Sequence, residues 1–277
     1  MTVRRVPGAG LTWTEHTDAA GPESPPIVLI HGAGGGRLSW PPGLRRMAGE
    51  RVFALDLPGH GQAPGGGATT IGAYAEIVLD WLRQVHLGPT LLVGHSMGAA
   101  IALTVAARRE NSARSGLPAD TVGGSFGVSG LVLIGLGPRL SVDPDLLELA
   151  SSPKTVPQAV DRIVEWGFAP GTSSETLRKA KEQMLETPAD VLRRDLVACD
   201  RFEAGPRLDQ IRLATLVVCG SLDRMTPPAE CRRLAEAIPG ARFHLVEGAG
   251  HMLMIEKADE VASLVRDFAR EVSPLSR

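Results

Sequence analysis

Six short apolar runs, each closed by glycine or a turn, constrain this chain more than any other feature. They are Ile27 to Ile30, Val52 to Leu55, Leu91 to Val93, Leu131 to Ile134, Leu216 to Cys219 and Phe243 to Val246. None alternates between apolar and polar residues, as a strand with one wet face would. Near-continuous hydrophobic strands are the mark of a mainly parallel sheet covered on both faces. Between them lie segments with a different period. Over 70–86, Ile71, Tyr74, Ile77, Val78, Trp81, Leu82 and Val85 recur at three- and four-residue steps, giving a helix with one apolar face. Segments 97–109, 228–238 and 257–271 are read as helices too. The alternation of strand and helix predicts an α/β fold. Near the N terminus, LTWTEHT is read as one or two antiparallel edge strands.

From 138 to 207 the rhythm changes. Apolar residues fall at helical spacing and Pro153, Pro157, Pro170 and Pro188 punctuate the segment. The reading is a core over 1–137 and 208–277, with an all-helical insertion over 138–207. Residues 110–129, rich in Gly and Ser, read as a loop.

Composition excludes several function classes. There are 29 basic and 31 acidic residues, with a formal net charge of −2, so no charge excess draws the chain to nucleic acid or an anionic membrane. The pairs Arg45-Arg46, Arg108-Arg109 and Arg193-Arg194 read as solvated helix faces. No signal-like apolar segment opens the sequence and no 18-residue apolar run occurs, so a soluble, cytoplasmic protein is expected. Three cysteines without a CxxC pair give neither a disulfide framework nor a zinc site, and Cys219 reads as buried filler.

Gly94-His95-Ser96-Met97-Gly98 fits G-x-S-x-G between a strand and a helix. A serine at so sharp a turn is lifted clear of the backbone, and the following helix turns its N-terminal amides toward developing negative charge. Its hydroxyl is a weak nucleophile until a base takes the proton, and the base needs a third group to fix its tautomer. Asp223 and His251 supply these roles in the order serine, acid, histidine, each just after a strand. Asp143 is the runner-up acid. An oxyanion needs two donors: the amide of Met97, and one from His31-Gly32-Ala33-Gly34-Gly35-Gly36, with Ala33 first and Gly34 in reserve. A phosphate cradle is disfavoured, because this run lacks the lysine of the P-loop. His31, His60 and His95 read as structural histidines, and Asp56 as a turn residue.

Together these segments resemble the α/β-hydrolase superfamily over nearly the whole chain. The resemblance rests on the HGAGG loop, the DLPGHG turn, the GHSMG elbow, GSLDRMTP and GAGHM. It implies an eight-stranded, mostly parallel sheet with a helical cap and the triad Ser96, Asp223 and His251. A serine at 96 separates the chain from members that use an aspartate nucleophile. The expected activity is hydrolysis of small-molecule carboxylic esters with small or medium apolar acyl groups, with no metal or organic cofactor implied. Gly34, Trp166, Phe168, Met184 and Leu185 are candidates for the pocket, the last four equally for helix packing. A C–C hydrolase or thioesterase with the same triad, and a non-catalytic ligand-binding protein, remain open alternatives. Oligomeric state is not legible.

Overall fold

The computed structural model describes residues 2–6, 8, 10–17, 24–114, 127–205 and 208–273. Its centre is one eight-stranded sheet. The strands are β1 (Val3–Arg5), β2 (Thr12–Thr17), β3 (Ile27–Ile30), β4 (Arg51–Asp56), β5 (Pro89–His95), β6 (Gly127–Ile134), β7 (Ala214–Gly220) and β8 (Arg242–Val246). Their spatial order is β1-β2-β4-β3-β5-β6-β7-β8. β1 and β2 are antiparallel, β2 pairs antiparallel with β4, and every later pairing is parallel.

The apolar runs form strands because both faces of the sheet are buried. Val28 and Ile30 of β3, Phe53 and Leu55 of β4 and Leu131 and Leu133 of β6 pack on one side. That side is covered by α2 (Ile71–Gln84), α3 (Met97–Arg114) and α8 (Pro228–Ala237). Ile27, Leu29, Val52, Ala54, Val132 and Ile134 face the other side. There α1 (Pro42–Arg45), α9 (Leu253–Glu256) and α10 (Ala258–Glu271) cover them. Strand periodicity of two thus divides each run between two cores.

Two expectations need correction, and two short helices add to the reading. β8 is an edge strand and only Val246 within it is buried, so it is not covered on both faces like its neighbours. The 110–129 segment is not all loop: α3 continues to Arg114 and β6 begins at Gly127, while 115–126 lie outside the described residues. The four-residue helices α1 and α9 were not expected at all.

Between β6 and β7 the chain forms α4 (Pro144–Leu149), α5 (Val156–Gly167), α6 (Ser174–Leu185) and α7 (Ala189–Asp200). These helices share an apolar cluster that includes Leu146, Val160, Ile163, Met184, Leu192 and Leu196. Among the described residues no helix is long and apolar enough to cross a membrane. The strand order reverses at β3, which pairs with β4 on one side and β5 on the other. The crevice at the carboxyl ends of β3 and β5 is therefore the topological switch point where open α/β sheets bind ligands.

Candidate active site

Ser96 occupies that crevice, in the turn from β5 to α3. Its φ is +52°, one of two positive values at non-glycine residues among those described. Such a conformation costs on the order of 1–3 kcal/mol and persists only where its surroundings impose it. The Ser96 amide donates to the Ile134 carbonyl at 2.8 Å. Close packing explains the flanking glycines. A Cβ at Gly98 would lie 2.0 Å from the Ile30 carbonyl oxygen of β3, and one at Gly94 would lie 2.3 Å from the Gly98 carbonyl oxygen. Met97 is the first residue of α3, and its amide has no acceptor among the described residues.

Asp223 and His251 follow β7 and β8 and are 4% and 2% exposed. The Asp223 amide closes a turn onto the Gly220 carbonyl. Its Oδ1 accepts from the amides of Met225 and Thr226 at 2.9 and 2.8 Å, and its Oδ2 faces His251 Nδ1 at 2.8 Å. A ring nitrogen against a carboxylate carries the proton, so this network assigns the Nδ1–H tautomer. The Nε2 lone pair is then bare, and Nε2 is buried without a hydrogen-bond partner. Ser96 and His251 line the same two cavities. Their side chains form no hydrogen bond to each other; in unliganded enzymes such contacts are commonly long and tighten when substrate binds. Asp143, the runner-up acid, instead caps α4 by accepting from the Asp145 amide at 2.8 Å.

Ala33 lines both cavities and its amide also lacks an acceptor among the described residues. Gly34 cannot serve as the reserve donor: its amide is committed to Asp195 Oδ2 at 2.9 Å. The smaller cavity, about 60 Å³, is lined by Gly34, Met184, Met252, Met254 and Ile255 besides the site residues. The larger, about 270 Å³, is walled by Leu140, Val142, Leu146, Trp166, Leu196 and Met225. Trp166 and Met184 are therefore at the site. Phe168 is not; it is buried in the packing of the insertion. Leu185 is 38% exposed and lines neither cavity, because it sits on the outer face of α6.

The sequence reading missed Asp195, a fully buried carboxylate on α7. Besides Gly34 it accepts from Tyr74 Oη at 2.5 Å and faces His60 Nε2 at 2.7 Å. His60 Nδ1 points at the Pro58 carbonyl at 3.1 Å. Both ring nitrogens meet acceptors, so His60 is held as an imidazolium. Burial lowers its pKa, but the Asp195 charge and hydrogen bond raise it further, leaving a net increase. The rings of His31 and His60 lie 4.7 Å apart. His31 is neutral: burial first, then the charge of His60, pushes its pKa down to about 3. It bonds the Gly32 carbonyl through Nδ1 and accepts from the Leu57 amide. His95, likewise lowered by burial and by the neighbouring His251, bonds the His251 carbonyl at 3.0 Å. All three hold the structure around the site through these bonds. Asp56 holds its turn through Gln62 and pairs with Arg37. Among the described residues no three His, Cys, Asp or Glu side chains are grouped as a metal site requires.

Comparison with known proteins identifies the family. Residues 27–264 match a family model described as "Alpha/beta hydrolase family". A pimeloyl-[acyl-carrier protein] methyl ester esterase of Neisseria meningitidis serogroup B is 30% identical, covering 87% of this chain and 92% of the relative. A 2-hydroxymuconate semialdehyde hydrolase of Pseudomonas putida is 28% identical over 98% of this chain and 95% of its own. Among solved structures, a thermophilic esterase superposes with a TM-score of 0.77 at 27% identity, covering 98% and 97% of the two chains. The chain is an enzyme of the alpha/beta hydrolase family.

Proposed function

We propose that this chain hydrolyses carboxylic esters with small or medium apolar acyl groups through an acyl-enzyme on Ser96. His251 Nε2 takes the Ser96 proton as the oxygen attacks the ester carbonyl. Asp223 holds the ring in the productive tautomer and stabilises the imidazolium that forms. The amides of Ala33 and Met97 receive the oxyanion. His251 then protonates the leaving alcohol, and water repeats the sequence on the acyl-enzyme. The helices over 138–207 act as a cap that selects the substrate by roofing the larger cavity with Leu146, Trp166 and Leu196.

The observation that supports this reading most is the buried Nδ1 to Oδ2 bond of His251 and Asp223, with a partnerless Nε2 on a histidine that lines the same two cavities as Ser96. The larger cavity, about 270 Å³ and near the lower limit of roughly 300–1,000 Å³ usual for ligand pockets, supports a small or medium acyl group. Likeness to relatives named for ester and for semialdehyde hydrolysis makes C–C hydrolysis with the same residues the second reading. A panel of p-nitrophenyl esters from acetate to decanoate, beside a vinylogous diketone and acyl thioesters, separates them. Ester turnover peaking at short to medium chains, and lost by at least about 10³-fold in Ser96→Ala, is expected. Negligible ester turnover beside brisk C–C cleavage would overturn the choice.

A further inference from the structure

The loop proposed to carry one oxyanion donor is gripped from outside the core. Three consecutive peptide units, 32–33, 33–34 and 34–35, each have a polar atom held. The Gly32 carbonyl accepts from the Gly35 amide at 3.1 Å and bonds His31 Nδ1 at 2.8 Å. The Gly34 amide donates to Asp195 Oδ2 at 2.9 Å. The Gly34 carbonyl accepts from Thr187 Oγ1 at 3.0 Å. Two of these units are thus held by the helical insertion, from α7 and from the α6–α7 connection. Apolar contact reinforces them. Gly34 has φ +63°, and a Cβ there would lie 2.8 Å from Leu192 Cδ1 and 3.1 Å from Met184 Cγ, both on the insertion. Thr187 and Asp195 are 5% and 0% exposed, and the carboxylate is paired with His60 and hydrogen-bonded by Tyr74, so water does not compete for either clamp.

We propose that Thr187 and Asp195 are positioning residues for the oxyanion hole, fixing the Ala33 amide by clamping both sides of Gly34. The inference rests on the reading of Ala33 as an oxyanion donor. The insertion then does more than roof the cavity, because it also completes the electrostatics of the reaction. A donor must be aimed where charge develops in the transition state, so loosening it lowers kcat while leaving ground-state binding in place.

The test uses the full-length enzyme and a p-nitrophenyl ester that it turns over. Thr187→Val keeps the shape of a buried side chain and removes only the Oγ1 donor. It is expected to lower kcat about tenfold with KM changed by less than about twofold, a part of the 10²–10³ lost when a donor is removed outright. Affinity for an alkyl trifluoromethyl ketone, whose adduct places an oxyanion in the hole, should fall by a similar factor. Thr187→Ser should restore both. Asp195→Asn keeps an acceptor for Gly34 but loses the charge that strengthens the bond, so it should show the same split between kcat and KM at a smaller size than Thr187→Val. A Thr187→Val enzyme with unchanged kcat and unchanged ketone affinity would overturn the inference, as would a loss in KM alone. Failure of the parent reading looks different: ester turnover would be absent from the unsubstituted enzyme, and the inference would fall with it.

Discussion

Ser96 and the buried histidines are held in states that an unfolded chain would abandon. At Ser96 the cost is conformational, a φ of +52° imposed by the backbone of β3 and β6. At His31 it is electrostatic, since burial and the nearby His60 push its pKa from 6.5 to about 3. The sign of the pH effect follows. An unfolded His31 takes up a proton near pH 6.5 and the folded one does not until about pH 3. Its contribution to stability is present above pH 6.5 and lost as pH falls toward 3, at about 1.4 kcal/mol per pH unit for one proton. His95 acts in the same direction. His60 acts in the opposite one: its pKa is raised, so its contribution is present below the unfolded value and lost as pH rises through the folded one. His31→Gln is expected to reduce the slope of unfolding free energy against pH, measured by urea melts between pH 6.5 and 4, by about 1.4 kcal/mol per pH unit, the contribution of one proton. An unchanged slope would mean that His31 is not held neutral in the fold.

At the scale of elements, the insertion is tied to the core on both sides of the site. Beside the Gly34 clamp, the Met252 amide donates to the Gly167 carbonyl at the end of α5 at 2.9 Å. Glu256 of α9 adds a second tie. Its Oε1 accepts from the Ala169 amide and Thr172 Oγ1 at 2.7 and 2.9 Å, and its Oε2 from the Gly250 amide at 2.8 Å. One carboxylate thus joins the insertion to the loop that carries His251. A glutamine would turn an NH2 group toward one of these donors. Glu256→Gln should cost about 2 kcal/mol, for a lost charge-assisted bond and an unpaired donor, and lower the thermal midpoint by roughly 4–8 °C. An unaltered midpoint would show that the tie adds nothing to stability. The strands themselves were legible because burial on both faces leaves an unbroken apolar run, as in Ile27 to Ile30. α1 and α9 were not, since four residues cannot display a 3.6-residue period.

Across the whole molecule, what could be read from sequence is what leaves a local mark. The elbow shows itself because close approach of β3 to Gly98 excludes a side chain, and Asp223 and His251 show themselves because each follows an apolar strand. Asp195 leaves no such mark: it meets Gly34 across 161 positions and His60 across 135. Its neighbours on α7, Arg193 and Arg194, face outward, so the segment reads as an ordinary surface helix. Leu185 failed for a related reason, since the residue beside Met184 on α6 lies about 100° further round the helix and is exposed where Met184 is buried. These parts unite only in the reaction proposed for them, in which the ester's acyl group passes through a covalent bond to Ser96. The most direct test is rapid acid quenching during the first turnover of a p-nitrophenyl ester, followed by peptide mass mapping. The account predicts a burst of p-nitrophenol matched by an acyl adduct on the peptide containing Ser96, with burst and adduct both absent in Ser96→Ala. A burst whose adduct maps to another residue, or full turnover by Ser96→Ala, would contradict it.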